Sequence, residues 1–130
     1  MRGNEDCADV TLKFIAHALD NGAFHHAEHV RVAFDLLRKH DFIDAASIYA
    51  KGLRRIAADA GAPQKFNLTM TYAFMSLIAE RMLLDPSGDF DGFVAANTDL
   101  MSKDVLAKWY GNDRLQTEAA RSIFLLPAMA

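Results

Sequence analysis

Four breaks, Asp20-Asn21-Gly22, Gly61-Ala62-Pro63, Asp85-Pro86-Ser87-Gly88 and Gly111-Asn112-Asp113, cut this chain of 130 residues into segments. Between them the apolar residues recur at a helical period, and no clean alternation of period two appears. A chain patterned in this way has no strand to place, so its fold class is all-α. Apolar residues make up 52% and charged residues 24%, the balance of one globular domain over residues 1–130. A domain of this size buries roughly two-thirds of its unfolded surface and needs no disulfide or metal to fold. The single cysteine, Cys7, excludes an internal disulfide framework and Cys-rich zinc modules.

The period predicts four main helices. The first runs from about Glu5 to Asp20, with Val10, Phe14 and Ala18 as its stripe and Gly22 as its stop. The second runs from about His26 to His40. Val30, Ala33, Phe34 and Leu37 form its buried face, while Arg31, Asp35, Arg38 and Lys39 lie on the other side at ion-pair spacings. The third runs from about Phe42 to Ala60, capped by Asp41, with Ala45, Ile48, Tyr49, Gly52, Leu53, Ile56 and Ala60 on one stripe. The fourth, Leu68 to Leu84, has Asn67 as its cap and is apolar nearly all round, which suits a central helix. Shorter helices are expected over Phe90–Ala96 with Asp89 as cap, from Ser102 or Asp104 to Tyr110, and within Leu115–Phe124. The expected architecture is a compact bundle of four main helices, its end wrapped by the short C-terminal ones.

Short connections favour antiparallel neighbours. One end of such a bundle collects the end of the first helix, the start of the second, the end of the third and the start of the fourth. His17, His25, His26 and His29, four of the five histidines, map to that end, with Lys65, Asn67 and Thr69. His40, beside Lys39, reads as a residue of a helix C-terminus. Two helix N-termini at one place also attract anions.

The segment His25-His26-Ala27-Glu28-His29 admits several chemistries. His-x-x-Glu-His is the inverted zinc-protease motif, but those enzymes need a third ligand and a cleft, and are much larger. A divalent metal held by His26 and His29, with His17 or Glu28 completing the set, would suit zinc, iron, manganese or copper. Di-iron sites of the ferritin type use Glu-x-x-His pairs, and the chain contains none. A small-molecule or anion pocket would be oriented by His26, His29, Arg31 and Lys65, with histidine as acid or base near neutral pH. The plain alternative is structural: the histidines cap the helix, Glu28 serves its dipole and Phe24 staples it. A cavity lined by Met70, Phe74 and Met75 would hold an apolar ligand. The basic run Gly52-Leu53-Arg54-Arg55 reads as a solvated face. Cys7 has no helical partner that would serve as a base, and the usual nucleotide-loop and nucleophile-elbow patterns are absent.

Phe24-x-His26-x-Glu28-His29-Val30-Arg31, followed by Lys65-Phe66-Asn67-x-Thr69-x-Thr71, resembles a group of small bacterial helical proteins. Their pattern is Phe-x-His-x-Asp/Glu-His-Leu/Val-Arg, then Lys-Tyr-His-x-Thr-x-Thr. Trp109-Tyr110 and Ala120-Arg121 also look like the C-terminal part of that group, and the similarity spans residues 20–127. The resemblance implies an all-helical single domain. It implies that His26, Glu28, His29 and Arg31 belong to the distinctive site, whereas His25 matches no motif position. It supplies no reaction. The chain departs from the pattern at Asn67, where the group has histidine, so a metal or base at that position is put in doubt while hydrogen bonding and capping are kept.

The expected function is binding of a small polar or anionic ligand at the sites His26, Glu28, His29, Arg31, Lys65 and Asn67. The alternatives are a homodimer or subunit, suggested by Phe90, Phe93, Trp109 and Phe124 in short weak helices, and a His/carboxylate metal protein using His26, His29 and His17. A net charge of −3 argues against nucleic acid as partner. No charged start followed by an apolar run appears, and the longest apolar stretch, Leu68 to Leu84, carries Glu80 and Arg81, so neither a signal peptide nor a membrane span is expected and the location is cytoplasmic.

Overall fold

The computed structural model describes residues 8–19, 25–85 and 88–128, and of Asn112 the backbone alone. Cys7, Gly22 and the staple residue Phe24 lie outside the described residues. The described residues form an all-α fold with no strand: α1 (Asp9–Ile15), α2 (His26–Lys39), α3 (Phe42–Asp59), α4 (Leu68–Leu84), α5 (Phe90–Ala96), α6 (Ala107–Leu115) and α7 (Glu118–Ser122). Two 3₁₀ turns, Pro63–Lys65 and Thr98–Met101, join them. Among the described residues no helix is long and apolar enough to cross a membrane.

Caps set most of the boundaries. Asp41, Asn67 and Asp89 each accept a main-chain N–H three residues on, at 2.9, 2.9 and 2.7 Å, as the sequence predicts. Helix α3 ends at Asp59, and Gly61 follows at φ 75°, a conformation that a β-carbon would strain.

The first helix is shorter than predicted. Ala8 is extended, so α1 starts at Asp9 rather than Glu5, and it stops at Ile15 rather than Asp20. His17 takes a left-handed conformation at φ 59°. The His17 N–H bonds the Phe14 carbonyl and the Ala18 N–H bonds the Lys13 carbonyl, at 3.1 and 2.9 Å. This reverse turn closes the helix end without waiting for a glycine. His17 is therefore an exposed turn residue, not part of a helix face.

Helix α2 is more enclosed than its stripe suggests. It meets α1, α3, α4 and the 98–101 turn, and Val30, Val32, Ala33, Phe34, Asp35 and Leu36 are all buried. On the face that carries the charges, Asp35 is covered because α1 lies across it, while Arg38 and Lys39 remain exposed. Asp35, 1% exposed, accepts from the Ala8 N–H at 3.0 Å, from Thr11 Oγ1 at 2.7 Å and from Arg31 Nε at 3.1 Å. Across the next contact, Gly52 of α3 sits against the Phe14 ring of α1, and Phe14 and Tyr49 have ring centroids 6.0 Å apart.

Helix α4 meets α2, α3 and α7. Its apolar character does not bury it throughout, since Leu83 and Leu84 are 86% and 81% exposed. Its polar end is tied across to the next segment: Arg81 bonds Asp99 at 2.8 Å and Asn97 at 3.0 Å, and Lys108 bonds Asp99 at 2.9 Å. Those two cations hold the Asp99 carboxyl well below the usual carboxylate range.

The C-terminal third differs in its boundaries. Residues 102–106 form turns, and α6 begins only at Ala107 and is broken at Gly111. The expected last helix is divided: Leu115 ends α6, and Glu118–Ser122 forms α7, capped by Thr117. Beyond it the chain is strapped onto the core. Thr69 Oγ1 donates to the Ile123 carbonyl at 2.7 Å and accepts from the Leu125 N–H at 3.0 Å. Tyr110 and Arg114 donate to the carbonyls of Leu125 and Leu126, both at 2.8 Å.

Candidate functional site

The second half of α3 carries an apolar stripe that finds no tight partner. Tyr49, Leu53, Ile56, Ala57 and Ala60 lie on one face and, with Met70, Thr71 and Phe74 of α4, line a cavity of about 550 Å³. The start of α2 contributes His25, His26 and His29, the turn before α4 contributes Ala62, Lys65, Phe66 and Asn67, and the chain before α6 contributes Lys103, Val105 and Leu106. The volume falls within the roughly 300–1,000 Å³ of small-molecule sites. Among the described lining residues there is no carboxylate.

The lining is graded in exposure. His25, Lys65 and Lys103 are exposed, His26 and His29 are partly buried, and Tyr49 is 1% exposed. Tyr49 Oη lies 3.4 Å from His29 Nδ1. Burial, with the adjacent His26 ring adding to it and Glu28 opposing, pushes His29 down from 6.5 to about 4. Burial likewise raises the Tyr49 phenol above its ordinary value. At neutral pH the pair is therefore uncharged, and the His29 tautomer sets which of the two donates. His26 Nε2 is 2.9 Å from the Leu100 carbonyl. A carbonyl only accepts, so Nε2 carries a proton. The His26 ring also packs 5.6 Å from Phe74 and 6.4 Å from His29, centroid to centroid.

Four of the predicted site residues, His26, His29, Lys65 and Asn67, line one cavity. Asn67 is largely committed: its Oδ1 caps α4 and its Nδ2 donates to the Leu115 carbonyl at 2.8 Å. Glu28 and Arg31 are elsewhere in role. Glu28 Oε1 accepts the His25 N–H at 2.9 Å, closing the first turn of α2. Arg31 turns away from the cavity to Asp35 and lies 4.7 Å over the Phe90 ring. His17, offered as a third metal ligand, is not among the lining residues, and no three His, Cys, Asp or Glu side chains group as metal ligands among the described residues. His25, which matches no motif position, is in the lining. Met70 and Phe74 line the cavity as expected, whereas Met75 is buried in the core. His40 is the C-cap residue of α2.

Sequence reasoning missed Lys103, Val105 and Leu106, because it placed their segment in a short helix apart from the histidines, whereas residues 103–106 form turns that reach the cavity. The signal for them was the apolar pair before Ala107. Of the aromatics offered as a partner surface, Phe90 and Phe93 pack on Phe34 at 5.4 and 5.1 Å, and only Trp109 and Phe124 remain about half exposed.

The His29 shift makes stability depend on pH. Between about 4 and 6.5 the unfolded chain binds a proton that the folded chain refuses. Stability therefore falls as pH drops through that window, by about 3 kcal/mol for this group, and the loss is complete below it. His29→Asn keeps an acceptor near Tyr49 and does not titrate. Urea unfolding at pH 7, 5.5 and 4 should show the variant gaining on the parent as pH falls; parallel curves would remove this role for His29.

No protein-family profile, no curated protein and no solved structure matches the chain.

Proposed function

We propose that the protein binds a small organic anion in this cavity. The observation that carries the reading is the character of the lining: two exposed lysines, no carboxylate among the described lining residues, three histidines that can hydrogen-bond a ligand, and an apolar floor. The N-cap residues of α2 and α4, His25 and Asn67, line the same space. The resemblance to the small bacterial helical proteins points to the same end, since positions 26 and 29 belong to their motif. The acidic balance of the whole chain supports a reading without nucleic acid.

The test is a titration with hexanoate, followed by the NMR signals of the histidine rings. The expected result is saturable shifts at His26 and His29, with affinity at least tenfold weaker in the doubly reversed Lys65→Glu/Lys103→Glu variant. Both lysines are exposed, so that variant keeps the core intact. If hexanoate, phosphate and sulfate all leave these signals unmoved, the reading falls. A second reading is an interaction surface for a further subunit or a second copy. What favours it is the exposure of Ile43, Leu83 and Leu84 at the start of α3 and the end of α4.

A further inference from the structure

The shape and polarity of the cavity narrow its occupant. Its α3 wall runs from Tyr49 to Ala60, with Leu53, Ile56 and Ala57 between. At 1.5 Å per residue that wall is about 16 Å long. The α4 wall, Asn67, Met70, Thr71 and Phe74, recurs at i, i+3, i+4 and i+7 and so presents one continuous face. Two helix faces set side by side make a slot rather than a bowl. One end of the slot lies where α3 gives way to the turn carrying Ala62 and Lys65, and there the lining is exposed and cationic. The other end lies at the buried Tyr49 and the partly buried His29 beside it.

We infer that the occupant is an elongated monocarboxylate, held with its carboxylate at Lys65 and its apolar body along Ile56, Leu53, Met70 and Phe74 toward Tyr49. This rests on the reading of the cavity as an organic-anion site and goes beyond it in committing to one charged end, an apolar body and a direction. Lys65 stands at the outer end, whereas Tyr49 and His29 at the inner end are uncharged at neutral pH, so a second charge carried to them would lose its water without gaining a counter-charge there. His29 and Tyr49 are both uncharged at neutral pH, which makes the inner end suited to carbon or to an uncharged hydrogen-bonding group. The chemistry also separates this occupant from a phosphate or a short polar acid, which would use the mouth alone and leave the 16 Å wall idle.

The experiment is calorimetric titration of the unaltered protein at pH 7 with acetate, butyrate, hexanoate and octanoate, then with octanedioate and inorganic phosphate. Affinity is expected to rise about fourfold per added methylene through octanoate. Octanedioate is expected to bind at least tenfold more weakly than octanoate. In Lys65→Glu/Lys103→Glu the octanoate affinity drops at least tenfold, whereas octanol, which lacks the charge, changes little. Equal affinities for acetate, phosphate and octanoate would overturn the inference and leave an anion site standing. Octanedioate as tight as octanoate would overturn the single charged end. No binding of any of these anions would remove both the inference and the reading on which it rests.

Discussion

Asp35→Ala is expected to cost about 3–5 kcal/mol of folding stability, because it breaks a buried charge pair and leaves its partners stranded. The carboxylate joins three donors from two helices: the Ala8 N–H and the Thr11 hydroxyl of the α1 region, and Arg31 one turn back on α2. Thr11 is fully buried, so its hydroxyl has no water to turn to once the acceptor is gone. A domain of this kind has a total stability of about 5–15 kcal/mol, so the variant loses a large fraction of it. The measurement is the urea midpoint, with hydrogen exchange of the α1 amides as a local readout. Asp35→Asn keeps shape and one acceptor but presents an amide NH₂ to Arg31, and should fall between parent and alanine variant. A loss under about 1 kcal/mol for alanine would mean that the contact is no more than a surface ion pair.

The second large effect is expected at Gly52. A β-carbon there would overlap the Phe14 ring, with Cε2 at 2.6 Å and Cζ closer still. Alanine is favoured over glycine inside a helix by about 1 kcal/mol, so a plain propensity argument makes Gly52→Ala stabilising. Overpacking a filled core costs about 1–3 kcal/mol, so the net effect is expected to be a loss, larger for Gly52→Val at about 3 kcal/mol. The obstacle is the far edge of one ring, which leucine lacks. Phe14→Leu combined with Gly52→Ala should therefore lose less than the sum of the two single changes, by about 1 kcal/mol in a double-mutant cycle read from urea curves. Strict additivity, or a stabilised Gly52→Ala, would show that the ring yields at no cost.

Both residues also mark the boundary of what could be read from the chain. Helix type, the caps at Asp41, Asn67 and Asp89, and the stop at Gly61 are local matters, set within a few residues, and they were legible. Asp35 was legible in its spacing to Arg31 but not in its burial. Which face of α2 is covered depends on α1 docking across it, a contact that separates Asp35 from Thr11 by 24 residues. The end of α1 was misplaced for a different reason. The reverse turn at His17 needs only a left-handed conformation, which histidine adopts more often than most residues, and no glycine announces it.

The candidate site divides the same way. The convergence of the starts of α2 and α4 with the end of α3 follows from short connections and was readable. Arg31 was assigned to that site by its place in the motif, yet at two residues past His29 it leaves α2 on roughly the opposite side, and Asp35 pairs with it. The α3 stripe was readable as apolar but not as hollow: Leu53, Ile56 and Ala57 have the same pattern whether a helix or a ligand covers them. Lys103 lies in a stretch expected as the start of a short helix, which instead forms turns between the ties of Asp99 to Arg81 and Lys108.

The strap formed by residues 123–126 is gripped through its main chain. Thr69, Tyr110 and Arg114 hold its carbonyls, and Thr69 also takes the Leu125 N–H, while Ile123, Phe124 and Leu126 are exposed. Every amino acid but proline offers the same peptide group to those three side chains. The closing segment can therefore drift in sequence and still latch, because the information that holds it is written in the residues that grip it and not in the strap itself.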